Sequence, residues 1–145
     1  MKWHPECRYM DISKDYTVAD LAKFHGHLGP NIVIGYRIGR YIGDNFCGDP
    51  FRLKAKIFCS GTTPESCIAD GVQLGAGCTV GKRNIDIIVS DSVKCEFEAD
   101  SKKITIVPKK VNLPPVDENY EQAIEKFAEE LFEKDDSELF EVVKS

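Results

Sequence analysis

No apolar run in this sequence approaches the roughly 20 residues that a bilayer-spanning helix needs; the stretch Ile85 to Val89, interrupted by Asp86, is far shorter. The N-terminal stretch MKWHPECRYM lacks the apolar core of a secretory signal, so the expectation is a cytoplasmic protein with no membrane role. No Cys-x-x-Cys pair occurs among Cys7, Cys47, Cys59, Cys67, Cys78 and Cys95, which excludes a zinc ribbon and a thioredoxin-type motif. In a reducing compartment the six are expected as thiols, most of them buried as small apolar residues. Internal repeats and low-complexity segments are also missing. Positive charge is in deficit, with 19 Lys and Arg against 24 Asp and Glu. The deficit is local: from Asp117 onward 11 acids meet 3 bases, whereas residues 1–116 hold 13 acids and 16 bases. An acidic end of this kind argues against nucleic acid as a partner. The mildly basic body suits, at most, a small anionic ligand.

What remains is a chain of 145 residues, 42% hydrophobic and 30% charged. It fits one domain over residues 1–145 with a single core. Thr17-Val-Ala-Asp20 predicts a helix start with Thr17 as N-cap, and the helix ends near His25 with Gly26 as its C-cap. Pro30 opens a second helix, PNIVIGYRIGRYIGDNF, with apolar residues at helical spacing. Gly35, Gly39 and Gly43 lie four apart in it and predict a face for close backbone packing. FRLKAKIF (residues 51–58) alternates as a strand. PESCIADGVQLGAG predicts a helix entered through Thr63-Pro64 and closed near residues 75–77. RNIDIIVS, VKCEFEAD and KKITIVPKK predict three strands, the last two joined as a hairpin. NLPPV is a stiff linker, and DENYEQAIEKFAEELFEK an amphipathic helix with Ala123, Phe127 and Leu131 in register. A short last helix is expected from Ser137, making residues 117–145 an acidic helical segment. The order predicts an α+β fold, with N-terminal helices packed on a mostly antiparallel sheet and a C-terminal amphipathic helix.

Two of the three histidines stand in FHGHLGPN, separated only by Gly26. On a continuous helix His25 and His27 would diverge; in a turn opened by Gly26 they can meet. Neutral imidazole is a common ligand for zinc and other borderline metals, and the plainer alternative is a pair of turn or cap histidines. Cys67 and Asp70 are three apart on one helix face, and Cys78 follows in GAGCTVGK. Together with the imidazoles they make a donor set for a tetrahedral zinc-like ion, unless the thiols are simply buried and Asp70 solvated. GCTVGKRN is not a Walker A loop. Its glycines, Thr79 and Lys82 can form an anion-binding loop or a plain turn before a strand.

These same segments carry a likeness. FHGHLGPNIVIGYRIG followed by SCIADGVQLGAGCTVGK resembles the FmdE family, the E component of formylmethanofuran dehydrogenase. The matching positions are His25, Gly26, His27, Pro30, Gly35, Arg37, Cys67, Asp70, Gln73, Gly77, Cys78, Thr79, Gly81 and Lys82, within a likeness over about residues 17–110. Two departures stand out: Gly29 replaces a motif cysteine and Asn31 a glycine. The C-terminal zinc finger of longer members is absent, since no cysteine follows Cys95. The resemblance implies an α+β core, a homodimer, and a metal site built from the His and Cys motifs. It also implies a link to one-carbon metabolism and methanogenesis. On this reading His25, His27 and Cys67 are the first ligands, with Cys78 and Asp70 in reserve. The metal is a divalent ion, zinc first, iron or nickel otherwise. Arg37, Thr79 and Lys82 are candidates for a small anionic ligand. Two alternatives stay open: an enzyme with an open coordination position, where Cys78 or His25 moves protons, and an accessory component bound to dehydrogenase subunits.

Overall fold

The structure, a computed structural model, describes residues 5–10 and 12–144. His4 and the first residues of the stretch read for a leader lie outside the described residues. Helix α1 (Val18–His25) begins on a capping box: the Asp20 N–H donates to Thr17 Oγ1 at 3.2 Å, and the Thr17 N–H donates to the Asp20 carboxylate at 2.9 Å. It ends at Gly26, whose φ of +97° is cheap only for glycine. Helix α2 (Pro30–Asn45) follows with Pro30 in its first turn.

Strand β1 (Lys54–Cys59) starts later than the alternation suggests. The chain before it is held in a turn by Asp49, whose carbonyl accepts from the N–H groups of Arg52 and Leu53 at 3.2 Å each. Helix α3 (Cys67–Ala76) likewise begins after Pro64, because the Cys67 and Ile68 amides bond three residues back to Pro64 and Glu65, forming turns rather than α-helix. Strands β2 (Ile85–Val89), β3 (Lys94–Ala99) and β4 (Lys102–Pro108) come next. Asp100 and Ser101, both at positive φ, close the β3–β4 hairpin.

Helix α4 (Tyr120–Phe132) carries the expected amphipathic face, with Ala128 and Leu131 buried. The chain end departs from the helical expectation. Helix α5 (Asp136–Leu139) is a single turn and passes into strand β5 (Phe140–Lys144), which pairs antiparallel with β4. Phe140 is buried and Val142 packs on the core, while Glu141 and Val143 are exposed; this alternation of period two was hidden among the acids.

The sheet order is β2-β1-β3-β4-β5. Only β1 and β2 run parallel, joined through α3, so the sheet is mostly antiparallel and the fold is α+β, as expected. Ala55, Ile57, Cys59, Cys95, Phe97 and Ile106 bury one sheet face in the same core as Ile32, Val33, Ile38 and Ile42 of α2. Helices α2 and α3 meet backbone to backbone. A Cβ on Gly35 would overlap the Ile68 carbonyl, and one on Gly39 would lie 2.7 Å from the Ala76 nitrogen. Gly71 and Gly75 of α3 answer them: a Cβ there would overlap the carbonyls of Ile32 and Tyr36 respectively. Gly43 falls outside this contact, its nearest neighbour being the Gly75 oxygen at 3.9 Å. This packing fixes the start of α3 against the start of α2, and so places Cys67 and Asp70 opposite the histidine turn.

Candidate functional site

The left-handed turn at Gly26 swings His27 back beside His25, the last residue of α1. Their ring centroids are 4.9 Å apart at an interplanar angle of 49°. Asp70, one turn into α3, faces them. The His25 Nδ1–H donates to its carboxylate at 2.5 Å, and 10% of the His25 side chain is exposed. That bond fixes the His25 tautomer and leaves Nε2 as the nitrogen able to receive a proton or a metal.

His25, His27 and Cys67 line one cleft of about 600 Å³. Its remaining walls are the first turn of α2, the Thr63-Pro64 turn, Val111 and Leu113 of the linker, and Tyr120 and Ile124 of α4. Asn31 anchors one wall by donating from Nδ2 to the Pro64 carbonyl at 2.9 Å. His25 and Cys67 also line a second cleft of about 390 Å³, which contains Asp70 and Gln73. The partly buried Cys67 thiol has its pKa pushed up, by burial first and then by the Asp70 charge.

The other candidates are placed elsewhere. Cys78 is fully buried and donates to the Leu53 carbonyl at 3.7 Å. It is not among the residues lining either cleft with the histidines. The glycine-rich loop turns its donors inward: the Thr79 N–H donates to Asn84 Oδ1 at 2.9 Å and the Val80 N–H to Gln73 Oε1 at 3.1 Å. Lys82 Nζ donates to the Gly77 carbonyl at 2.6 Å and to Thr79 Oγ1 at 2.9 Å, and burial lowers its pKa. Arg37 clasps the C-terminal segment, donating to the Phe132 carbonyl at 2.9 Å and to Asp136 at 2.8 Å.

Burial pushes the Cys78 thiol up to about 12, partly offset by Lys82, and also pushes Cys95 up to about 12. Both therefore stay protonated at pH 8 in the folded chain. Iodoacetamide added to native protein at pH 8 is expected to modify the exposed Cys7 first and Cys67 more slowly, sparing Cys78 and Cys95 until the chain unfolds. Peptide mass spectrometry reads the order, and native Cys78 reacting as fast as Cys7 would contradict this placement. The same shifts have a stability consequence. A folded pKa above the ordinary 9.0 stabilises the fold fully below pH 9, and that contribution is lost as pH climbs toward 12.

Two imidazoles sharing one tetrahedral ion, with metal–nitrogen bonds of about 2.0–2.1 Å, place their centroids about 5 Å apart. The His25–His27 spacing of 4.9 Å fits that requirement. The donor chemistry fits a borderline divalent ion as well. The donors stop short of a closed site, however: among the described residues no group of three or more His, Cys, Asp or Glu is gathered closely enough to hold an ion. A Cβ on Gly29 would lie 3.0 Å from His27 Cε1, so a side chain there would start against the His27 ring.

The family profile described as "FmdE, Molybdenum formylmethanofuran dehydrogenase operon" matches residues 24–141. The chain belongs to the FmdE family. No curated protein matches it. The family match runs past the residue 110 limit of the motif likeness and takes in α4, α5 and the start of β5. The acidic C-terminal segment is therefore part of the FmdE domain, which agrees with Tyr120 and Ile124 walling the cleft. Sequence patterns did not single out Val111, Leu113, Tyr120 or Ile124, because nothing in a linker or an amphipathic helix marks which apolar residues face a distant turn. The one available signal was an isolated Leu113 in an otherwise stiff, proline-rich connection. Among the described residues no helix is long and apolar enough to cross a membrane.

Proposed function

We propose that this FmdE-family protein binds a divalent metal ion, zinc first, at the histidine end of the larger cleft. His25 Nε2 and His27 are the leading donors, Cys67 the third, and Asp70 the carboxylate that orients His25. The observation that carries the reading is the His25–Asp70 bond at 2.5 Å, formed with His27 beside the same ring. A carboxylate holding the far nitrogen of a ligating histidine raises its basicity and fixes its direction. Iron or nickel suits the same donors. In this reading Cys78, Lys82, Thr79 and Arg37 serve the fold.

An ion so held supplies Lewis acidity toward a carbonyl or a water molecule. The chain's own groups would do the rest: Asp70 would hold His25 by Nδ1 and keep Nε2 free for the ion. Gly29 favours the enzyme form of this reading over a purely structural metal, since glycine brings no fourth donor beside His27. The family's description further supports a place beside formylmethanofuran dehydrogenase subunits in one-carbon metabolism, which stable co-purification with them would test.

The deciding measurement is metal content by mass spectrometry on protein purified without a metal-affinity tag. Wild type is expected to carry about one ion per chain, as a single mononuclear site requires. His27→Ala and Cys67→Ala are expected to lose it while keeping their circular dichroism. A wild-type protein that holds no metal and takes up no added zinc would overturn the reading.

A further inference from the structure

The larger cleft is lined by two chemically different sets of side chains: His25, His27 and Cys67 on the one hand, Leu113, Tyr120 and Ile124 on the other. No acidic or basic side chain of the Asp, Glu, Lys or Arg type lines it. Its volume of about 600 Å³ lies in the range of small-molecule sites, about 300–1,000 Å³, which combine apolar walls with a few convergent polar groups. None of its lining residues belongs to a strand, so a peptide has no sheet edge to extend there. Leu113 is half exposed on the linker, an apolar wall that a ligand would cover.

We propose that this cleft binds a small carboxylic acid with an aromatic or similarly sized apolar body, its carboxylate at the imidazoles and its ring between Leu113, Tyr120 and Ile124. This deepens the functional reading above and rests on the same histidine pole. With the His25 Nδ1–H held by Asp70, the N–H donor to a carboxylate would come from His27, or from His25 Nε2 once protonated; with an ion on the imidazoles, the ion itself would take the carboxylate. A cationic head would meet no counter-charge among the lining residues. The ring would bury apolar surface that acetate does not have, and this difference sets the expected selectivity.

The probes are benzoate, acetate and benzylamine, with dissociation constants measured by ligand-detected NMR on the full chain, zinc-free and zinc-loaded. Benzoate is expected to bind at least tenfold more tightly than acetate and than benzylamine. Leu113→Asp is expected to erase that advantage. Val116→Asp, on the same linker but outside the cleft lining, is expected to leave it intact. Tyr120→Ala offers a second variant on a different element and should weaken benzoate selectively. Equal affinity for benzoate and acetate, or benzylamine binding as tightly as benzoate, would overturn the proposal. So would a benzoate preference unaffected by both Leu113→Asp and Tyr120→Ala. A second copy of the chain seated over the cleft would appear as a dimer in light scattering that excludes benzoate, and that outcome also overturns it. The metal reading fails separately: a chain that never takes up zinc yet keeps the benzoate preference loses the metal and retains this ligand class.

Discussion

Gly71→Ala is expected to destabilise the protein by several kcal/mol, enough to remove a large share of a stability that for domains of this size is about 5–15 kcal/mol. The added methyl would overlap the Ile32 carbonyl and the Tyr36 nitrogen, which are backbone atoms and cannot rotate away. Relief requires separating α2 from α3, and both helices sit in the core. Helix propensity alone predicts the opposite sign, since alanine is favoured over glycine by about 1 kcal/mol in a helix interior. Gly43→Ala is the matched comparison. Its Cβ would find the Gly75 oxygen at 3.9 Å, an ordinary contact, so that substitution is expected to be neutral or stabilising by up to about 1 kcal/mol. Urea denaturation of the two variants measures the contrast. If Gly71→Ala unfolds at the wild-type midpoint, the close α2–α3 packing is wrong. The consequence reaches the site, because Cys67 and Asp70 meet the histidine turn only while α3 lies flat on α2.

Asp70→Asn is expected to lower zinc affinity by about 10–100-fold, the usual cost of removing the carboxylate behind a metal-bound histidine. The amide preserves size and can still accept from His25 Nδ1, but it brings no charge to hold the ring. Asp70 is partly exposed, with 36% of its side chain accessible, so the fold is expected to tolerate the change. Gly29→Cys should act in the other direction. Its Cβ would start 3.0 Å from His27 Cε1, which requires the ring to yield by a few tenths of an ångström and sets a thiol beside the metal pole. A direct thiolate donor is expected to tighten zinc by at least about the tenfold that an outer carboxylate is worth. Competition titrations against a zinc-binding dye read both variants. Unchanged affinity in both would separate the histidine turn from any metal and leave the ligand cleft to stand alone.

The local elements could be read from the residues wherever short-range chemistry decides them. Thr17 and Asp20 cap α1, Gly26 ends it, Pro30 starts α2, and the alternation in β1, β3 and β4 sets their inward faces. The sequence also allowed His25 and His27 to meet if Gly26 opened a turn, and the positive φ of Gly26 opens it. The approach of Asp70 to His25 was foreshadowed by motif order. Its geometry was not, since 45 residues separate the two and only the α2–α3 glycine contact brings them to 2.5 Å.

Tertiary structure alone decided the rest. Two glycines of the contact, Gly71 and Gly75, lie on the partner helix, and spacing within α2 pointed to Gly43 in their stead. Cys78 shares a motif with Lys82 yet faces Leu53, since a loop's side-chain directions follow its hydrogen bonds to Asn84 and Gln73 rather than its spacing. Phe140–Lys144 became a strand because β4 offered an unpaired edge, a long-range condition that no local window of acidic residues contains. The cleft wall at Leu113 and Tyr120 has the same origin: apolar side chains distant in sequence face the histidines only after the C-terminal helix has packed on α2.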